Sequence, residues 1–371
     1  MKKTISVILV MMMIFALVGC ATTEQPAPTA ETAVPTDDAA NVTDTTTTGE
    51  VADGDVITLV FADTEVPGMP EYEGNEYFIN LVETMSNGRI KIEYYPNNEL
   101  GGDKEITAAA IAGTVDICKC AAGNIADWTD AAAFTDIPGV FKNTEHMRAV
   151  WQSELREQVA AEILADTTLT PIMYDCDGGA ARALFYTGKK EIHTPADCAG
   201  MKFRTTGSEI EMGLFAKLGI AATPMAFTEL YTSLQSGVID GIYTHPEGTY
   251  LNSLCEVNDY CTIINISYIT TFKLLSASAV EKLGGVDSEL YNIVLEAGRQ
   301  AEIQKDELIA AYNTQVEDLM EGINCHVIHL TDEEQQLFYD VAESTWADYV
   351  GDGKLVSQDL FDRIVEIGQD F

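Results

Sequence analysis

Strand-like and helix-like segments alternate along this chain in two separate stretches, and that alternation restricts the possible folds more than any other feature. Val56 to Phe61 is β-rich and alternating. Glu73 to Met85 carries Tyr77, Phe78, Leu81 and Val82 at helical spacing, and Arg89 to Tyr95 returns as a strand stopped by Pro96. A helix from an Asp103 N-cap through Ala112, then a strand from Thr114 to Cys118, complete the first unit. The second unit reads as strand Lys202 to Arg204, helix Ile210 to Leu218, extended Ala222 to Met225, helix Thr228 to Gln235 and strand Val238 to Ile242. The two units share an echo, Gly113-Thr114-Val115-Asp116 and Gly237-Val238-Ile239-Asp240, in which each Gly caps a helix and each apolar pair opens a buried strand. Such alternation builds an α/β layer. With the unbroken helical pattern of Ser288 to Gly322 and helices at Glu333 to Ala347 and Ser357 to Ile367, it predicts a bilobal α/β body with a cleft, where small ligands bind.

The N-terminus belongs to a different regime. Lys2 and Lys3 precede an uncharged run from Ile5 to Leu17, the pattern of a secretory signal. The run is too short for a permanent bilayer-spanning helix, which needs about 20 apolar residues. Leu17-Val18-Gly19-Cys20 resembles the bacterial lipobox, which implies cleavage after residue 19, acylation of Cys20 by palmitate-type chains and anchoring to the outer face of the cell membrane. Residues 20–55 hold Pro26, Pro28, Pro35 and the run Thr45 to Thr48 but no large apolar side chain, so a disordered spacer is expected before a body at 56–371. A lipid anchor with a long spacer suits a Gram-positive cell.

Charge and motifs exclude several functions. With 59 acidic and 21 basic side chains, the net charge of −38 disfavours nucleic acid, which is bound by neutralising phosphates. Apart from Cys20, seven scattered cysteines remain, without a Cys-x-x-Cys pair, and they read as buried free thiols. His326 and His329, three apart on a strand-like segment, face opposite sides and cannot chelate one metal. No nucleophile elbow, P-loop or dinucleotide fingerprint occurs, so neither an enzyme nor a bound metal or cofactor is expected.

The arginines say more, because there are only seven. On a strand, Lys202 and Arg204 share one face while Met201 and Phe203 share the other, which sets Arg204 off the apolar layer. Arg182 lies nearby in sequence. Arg reads planar anions through paired hydrogen bonds, but a surface salt bridge is the competing reading, and local sequence leaves the two open.

A longer pattern bears on the choice. Gly200-Met201-Lys202-Phe203-Arg204 and the run Thr223-Pro224-Met225-Ala226-Phe227 through Asp240-Gly241 resemble the solute-binding proteins of TRAP transporters, the DctP type. Ser86-Asn87-Gly88-Arg89-Ile90-Lys91-Ile92, Tyr95-Pro96 and Glu99-Leu100-Gly101 match the same pattern, so the resemblance covers the body from about Ile57 onward. It implies a periplasmic-binding-protein-like fold of two lobes, about 56–178 with 267–308 and about 179–266 with 309–371, spanned by one long helix. It also implies a monomeric extracytoplasmic receptor that closes over a small organic acid. The acid would pass to the small and large membrane subunits of an ion-gradient-driven TRAP permease. A lipoprotein that presents its ligand to a membrane receptor is the alternative. By the family's pattern Arg204 clamps the carboxylate, Arg182 adds a second anion contact and Phe227 lines the pocket. Thr244 stands where the family usually has Asn, and Tyr243 and Asp103 join these as ligand-binding candidates.

Overall fold

The computed structural model describes residues 56–177, 179–188 and 190–371; the expected signal peptide, Cys20 and the expected spacer lie outside them. Eleven strands are present among the described residues: β1 Ile57–Ala62, β2 Ile90–Tyr95, β3 Ile117–Ala121, β4 Thr170–Asp177, β5 Ala183–Tyr186, β6 Lys202–Thr205, β7 Ala221–Pro224, β8 Gly241–Thr244, β9 Tyr260–Ile263, β10 Ile269–Leu275 and β11 His326–His329. They form two sheets, ordered β2-β1-β3-β10-β4 and β11-β9-β5-β8-β6-β7. Within them β1 runs parallel to β2 and β3, and β6 runs parallel to β7 and β8. Parallel neighbours need crossover helices, which is what the alternating sequence supplies. β10 returns antiparallel between β3 and β4, so the chain enters the second sheet after β4, leaves it after β9 and comes back to it with β11.

Apolar clusters lie on both faces of each sheet, and the inner strands are accordingly apolar on both sides. In β5, Ala183 and Phe185 pack with Ile242 and Cys261, while Leu184 and Tyr186 pack with Phe203 and Tyr243 on the opposite face. The seven cysteines of the body are all buried and free. His326 and His329 bond to different carboxylates, Glu321 at 3.2 Å and Glu317 at 2.9 Å.

The 33-residue helix Glu289–Glu321 carries the chain across both sheets. Val294, Ala297 and Ala301 pack with Leu59 and Phe61 of the first sheet, and Val316 and Met320 pack with Phe185 of the second. Gly298 allows the close approach: a Cβ there would stand 2.3 Å from the Ile172 carbonyl oxygen of β4. Lys305, 1% exposed, bonds Asp175 at 2.8 Å and Asn75 at 2.9 Å, and Asp175 in turn faces fully buried Lys273 at 3.4 Å.

The repeated Gly-x-x-Asp segments have the same structure twice. Gly113 and Gly237 take left-handed φ of 76° and 71°, and each closes its helix with paired bonds to the last turn (Gly113 N to Ala110 O, Thr114 N to Ala109 O; Gly237 N to Leu234 O, Val238 N to Ser233 O). The Asp carboxylates then cap the neighbouring parallel strand, Asp116 accepting from Val60 N at 2.9 Å and Asp240 from Lys202 N at 2.8 Å. For that reason pairing of β3 and β8 begins at Ile117 and Gly241, three residues later than periodicity predicts.

Two further expectations need correction. Gly102 is the N-cap of helix Asp103–Ile111, which leaves Asp103 in the first turn with its carboxylate used elsewhere. The terminal helix Gln358–Ile367 packs with the first sheet's side, placing Phe361 and Ile364 beside Met147 and Val150, where sequence grouped it with the second lobe.

Candidate ligand-binding site

The ends of four parallel strands converge between the sheets. β1 runs out into Thr64 and Glu65, β3 carries Lys119 and Ala121, β6 carries Arg204, and β8 ends in Tyr243 and Thr244. Ligands bind at such carboxyl ends because the loops that follow can supply side chains without disturbing the ladder. Here they enclose a cavity of about 660 Å³, counted with its mouth. All six residues singled out from sequence line it: Asp103, Arg182, Arg204, Phe227, Tyr243 and Thr244.

Strand alternation sets the Arg204 side chain opposite Phe203, which is fully buried in the second sheet's core. Arg204 is 6% exposed; its Nε donates to Met225 O at 3.1 Å, and its guanidinium stands 5.9 Å from the centre of the Phe227 ring. The Nε bond fixes the plane of the fork. Its two terminal nitrogens have no hydrogen-bond or ion-pair partner among the described residues. Burial pushes this guanidinium down from its ordinary value; Glu211 and Asp103 oppose that push, and Arg182 adds to it. An anion in the cavity would meet a buried cation poorly compensated by protein.

Arg182 is held differently. It is 5% exposed and lies between Glu211 (3.4 Å) and Asp136 (3.5 Å), with its guanidinium 5.5 Å from the Tyr243 ring centre. Burial raises the Asp136 carboxyl above its ordinary value, although the Arg182 charge lowers it. So the two arginines share the cavity, but carboxylates of the chain already engage Arg182. Tyr243 is anchored by its hydroxyl to Ser267 at 2.7 Å, and burial raises its phenol. The Thr244 hydroxyl makes no hydrogen bond to a described residue.

Asp103 ties the opposite wall together. Its carboxylate accepts from Thr64 Oγ1 (3.1 Å), Ala121 N (3.1 Å) and Asn124 Nδ2 (2.9 Å), joining the ends of β1 and β3. Sequence reasoning missed the rest of that wall: Glu65 and Lys119, paired at 2.7 Å, with Asn124 and Asn252 nearby. Burial pushes Glu65 up, but the ammonium of Lys119 outweighs it, with help from Lys273, and brings the carboxyl to about 2. One signal for Lys119 was present: a lone lysine between Cys118 and Cys120, inside a strand whose other side chains are apolar or small.

Residues 61–352 match the family described as bacterial extracellular solute-binding protein, family 7 (DctP). A solute-binding protein of Roseobacter denitrificans is 36% identical over 160 residues, which is 43% of this chain and 48% of that relative. The crystal structure of that protein with bound L-galactonate superposes with a TM-score of 0.75, covering 84% of this chain and 99% of the other. A TRAP periplasmic solute-binding protein from Sulfurospirillum deleyianum with bound succinate superposes at 0.78 with 22% identity, over 85% and 100% of the two chains. The C4-dicarboxylate-binding periplasmic protein of Rhodobacter capsulatus is 28% identical over 215 residues, 57% of this chain and 63% of that one. The chain thus matches about half to two thirds of these curated relatives' lengths, while the structural superpositions extend the shared fold to the whole body.

Proposed function

The chain belongs to bacterial extracellular solute-binding protein family 7, the DctP family, and from that premise we propose that it is an extracytoplasmic receptor, not an enzyme, that binds a small organic acid between its lobes. One lobe comprises about 56–178 and 267–308, with helix Gln358–Ile367 riding on it; the other comprises about 179–266 and the remainder of the C-terminal region. The bound acid would be delivered to the small and large membrane subunits of a TRAP permease. In this reading Cys20 carries the lipid that holds a monomeric receptor at the outer face of the membrane.

The observation that carries the proposal is Arg204: buried, oriented by Met225, and aimed into a cavity with both terminal nitrogens unengaged by any described residue. Closure follows from differential binding, since a carboxylate that reaches Arg204 only when the lobes meet favours the closed form by its preference for that form. A thermal-shift screen of organic acids against matched uncharged polyols tests it, because a ligand of the native state raises the melting temperature by mass action. At least one acid should raise it, and its uncharged analogue should not. A response to uncharged polyols alone would overturn the reading.

A further inference from the structure

The cavity wall facing Arg204 has a charge pattern that narrows the ligand further than the family does. Three cationic side chains line this cavity: Lys119, Arg182 and Arg204. Lys119 is paired with Glu65 at 2.7 Å, and Arg182 lies between Glu211 and Asp136 at 3.4 and 3.5 Å. Arg204 alone has no carboxylate within ion-pair distance among the described residues. The site therefore offers one open seat for a carboxylate.

A second carboxylate on the same ligand would face the Glu65 carboxylate, 3% exposed, and that of Asp103, already held by three donors. With Lys119 already paired to Glu65, no open cation on that wall offsets the cost of taking a second carboxylate out of water, and Asp103, which has no cation within ion-pair distance among the described residues, repels it. Hydroxyl groups suit the same wall. Each can donate to a carboxylate oxygen and accept from an amide or ammonium; Glu65, Asp103 and Asn124 on that wall, with Asn252 and the unengaged hydroxyl of Thr244 on Arg204's own side of the cavity, present that mixture. We propose that the cavity takes a polyhydroxylated monocarboxylate, its carboxylate on Arg204 and its hydroxyls toward Glu65, Asp103 and Thr244, and discriminates against dicarboxylates.

This inference rests on the receptor reading above, and its test separates the two. Isothermal titration calorimetry on the body, residues 56–371, would compare pairs of equal carbon number: erythronate with succinate, and galactonate with galactarate, in which a carboxylate replaces the terminal hydroxymethyl group. The monocarboxylate should bind at least tenfold more tightly within a pair. Equal or tighter binding of the dicarboxylates would overturn the inference and leave the receptor reading standing. Failure of every acid to bind would overturn both. Glu65→Gln removes one negative charge from that wall and breaks the ion pair with Lys119, so the preference should shrink at least tenfold, with the melting temperature checking that the variant is folded. An unchanged preference in folded Glu65→Gln would likewise overturn the assignment of discrimination to this wall.

Discussion

Replacing Arg204 with Ala should uncouple ligand binding from stability. The two terminal nitrogens of Arg204 can give a ligand carboxylate two parallel charge-assisted hydrogen bonds, each contributing about 1.5–3 kcal/mol. Because both come from one guanidinium, a combined loss of about 3–4 kcal/mol is expected, or roughly a 100- to 1,000-fold weaker Kd at about 1.4 kcal/mol per tenfold. The ligand-free protein should respond differently. It loses one neutral-acceptor bond, Nε to Met225 O, of about 1 kcal/mol, while shedding a buried cation that desolvation already disfavours. Those changes oppose one another, so the melting temperature should move by no more than about 3 °C. Calorimetric titration with the tightest-binding acid measures the first quantity, and scanning calorimetry without ligand measures the second. Affinity within tenfold of wild type would refute the clamp. A large fall in ligand-free melting temperature would show that Arg204 is chiefly a structural cation.

Three other perturbations have definite expected outcomes. Arg182→Met leaves the Asp136 and Glu211 carboxylates buried near each other without their shared cation, so urea unfolding should show a loss of about 3 kcal/mol. Gly298→Ala forces a methyl group against the Ile172 carbonyl, a backbone group that cannot turn aside, and should destabilise by about 2 kcal/mol or more in the same assay. The Glu65 carboxyl lies at about 2 in the folded protein, below its ordinary 4.5. Its contribution to stability is therefore complete above pH 4.5 and is lost as pH falls toward about 2. Melting curves through that window should fall more steeply for wild type than for Glu65→Gln, and parallel curves would contradict the pairing with Lys119.

Much of the architecture was legible because local rules and tertiary needs agree. Strand and helix periods, and glycines closing helices at Gly113 and Gly237, marked the elements to within a few residues. The errors came where a side chain serves a distant partner. Asp116 and Asp240 cap strands far away in sequence, which delays β3 and β8, and Asp103 binds the ends of β1 and β3 instead of capping its own helix. Helix Gln358–Ile367 is amphipathic by itself, but nothing in its pattern states that Phe361 and Ile364 will meet Met147 and Val150.

The candidate site divides along the same line. The sequence by itself determined the two α/β units, the helix long enough to cross both, and the scarcity of arginines that drew attention to Arg182 and Arg204. These are properties of spacing and composition, carried by every stretch of chain independently of its neighbours. Only the tertiary structure decided that the two arginines differ, one held by Asp136 and Glu211 and the other open to the cavity. It also decided that Lys119 and Glu65, 54 positions apart, form an ion pair on the facing wall. Charge pairing depends on distances of a few ångströms between residues remote in sequence, and those distances come into being only when the sheets pack and the strand ends converge.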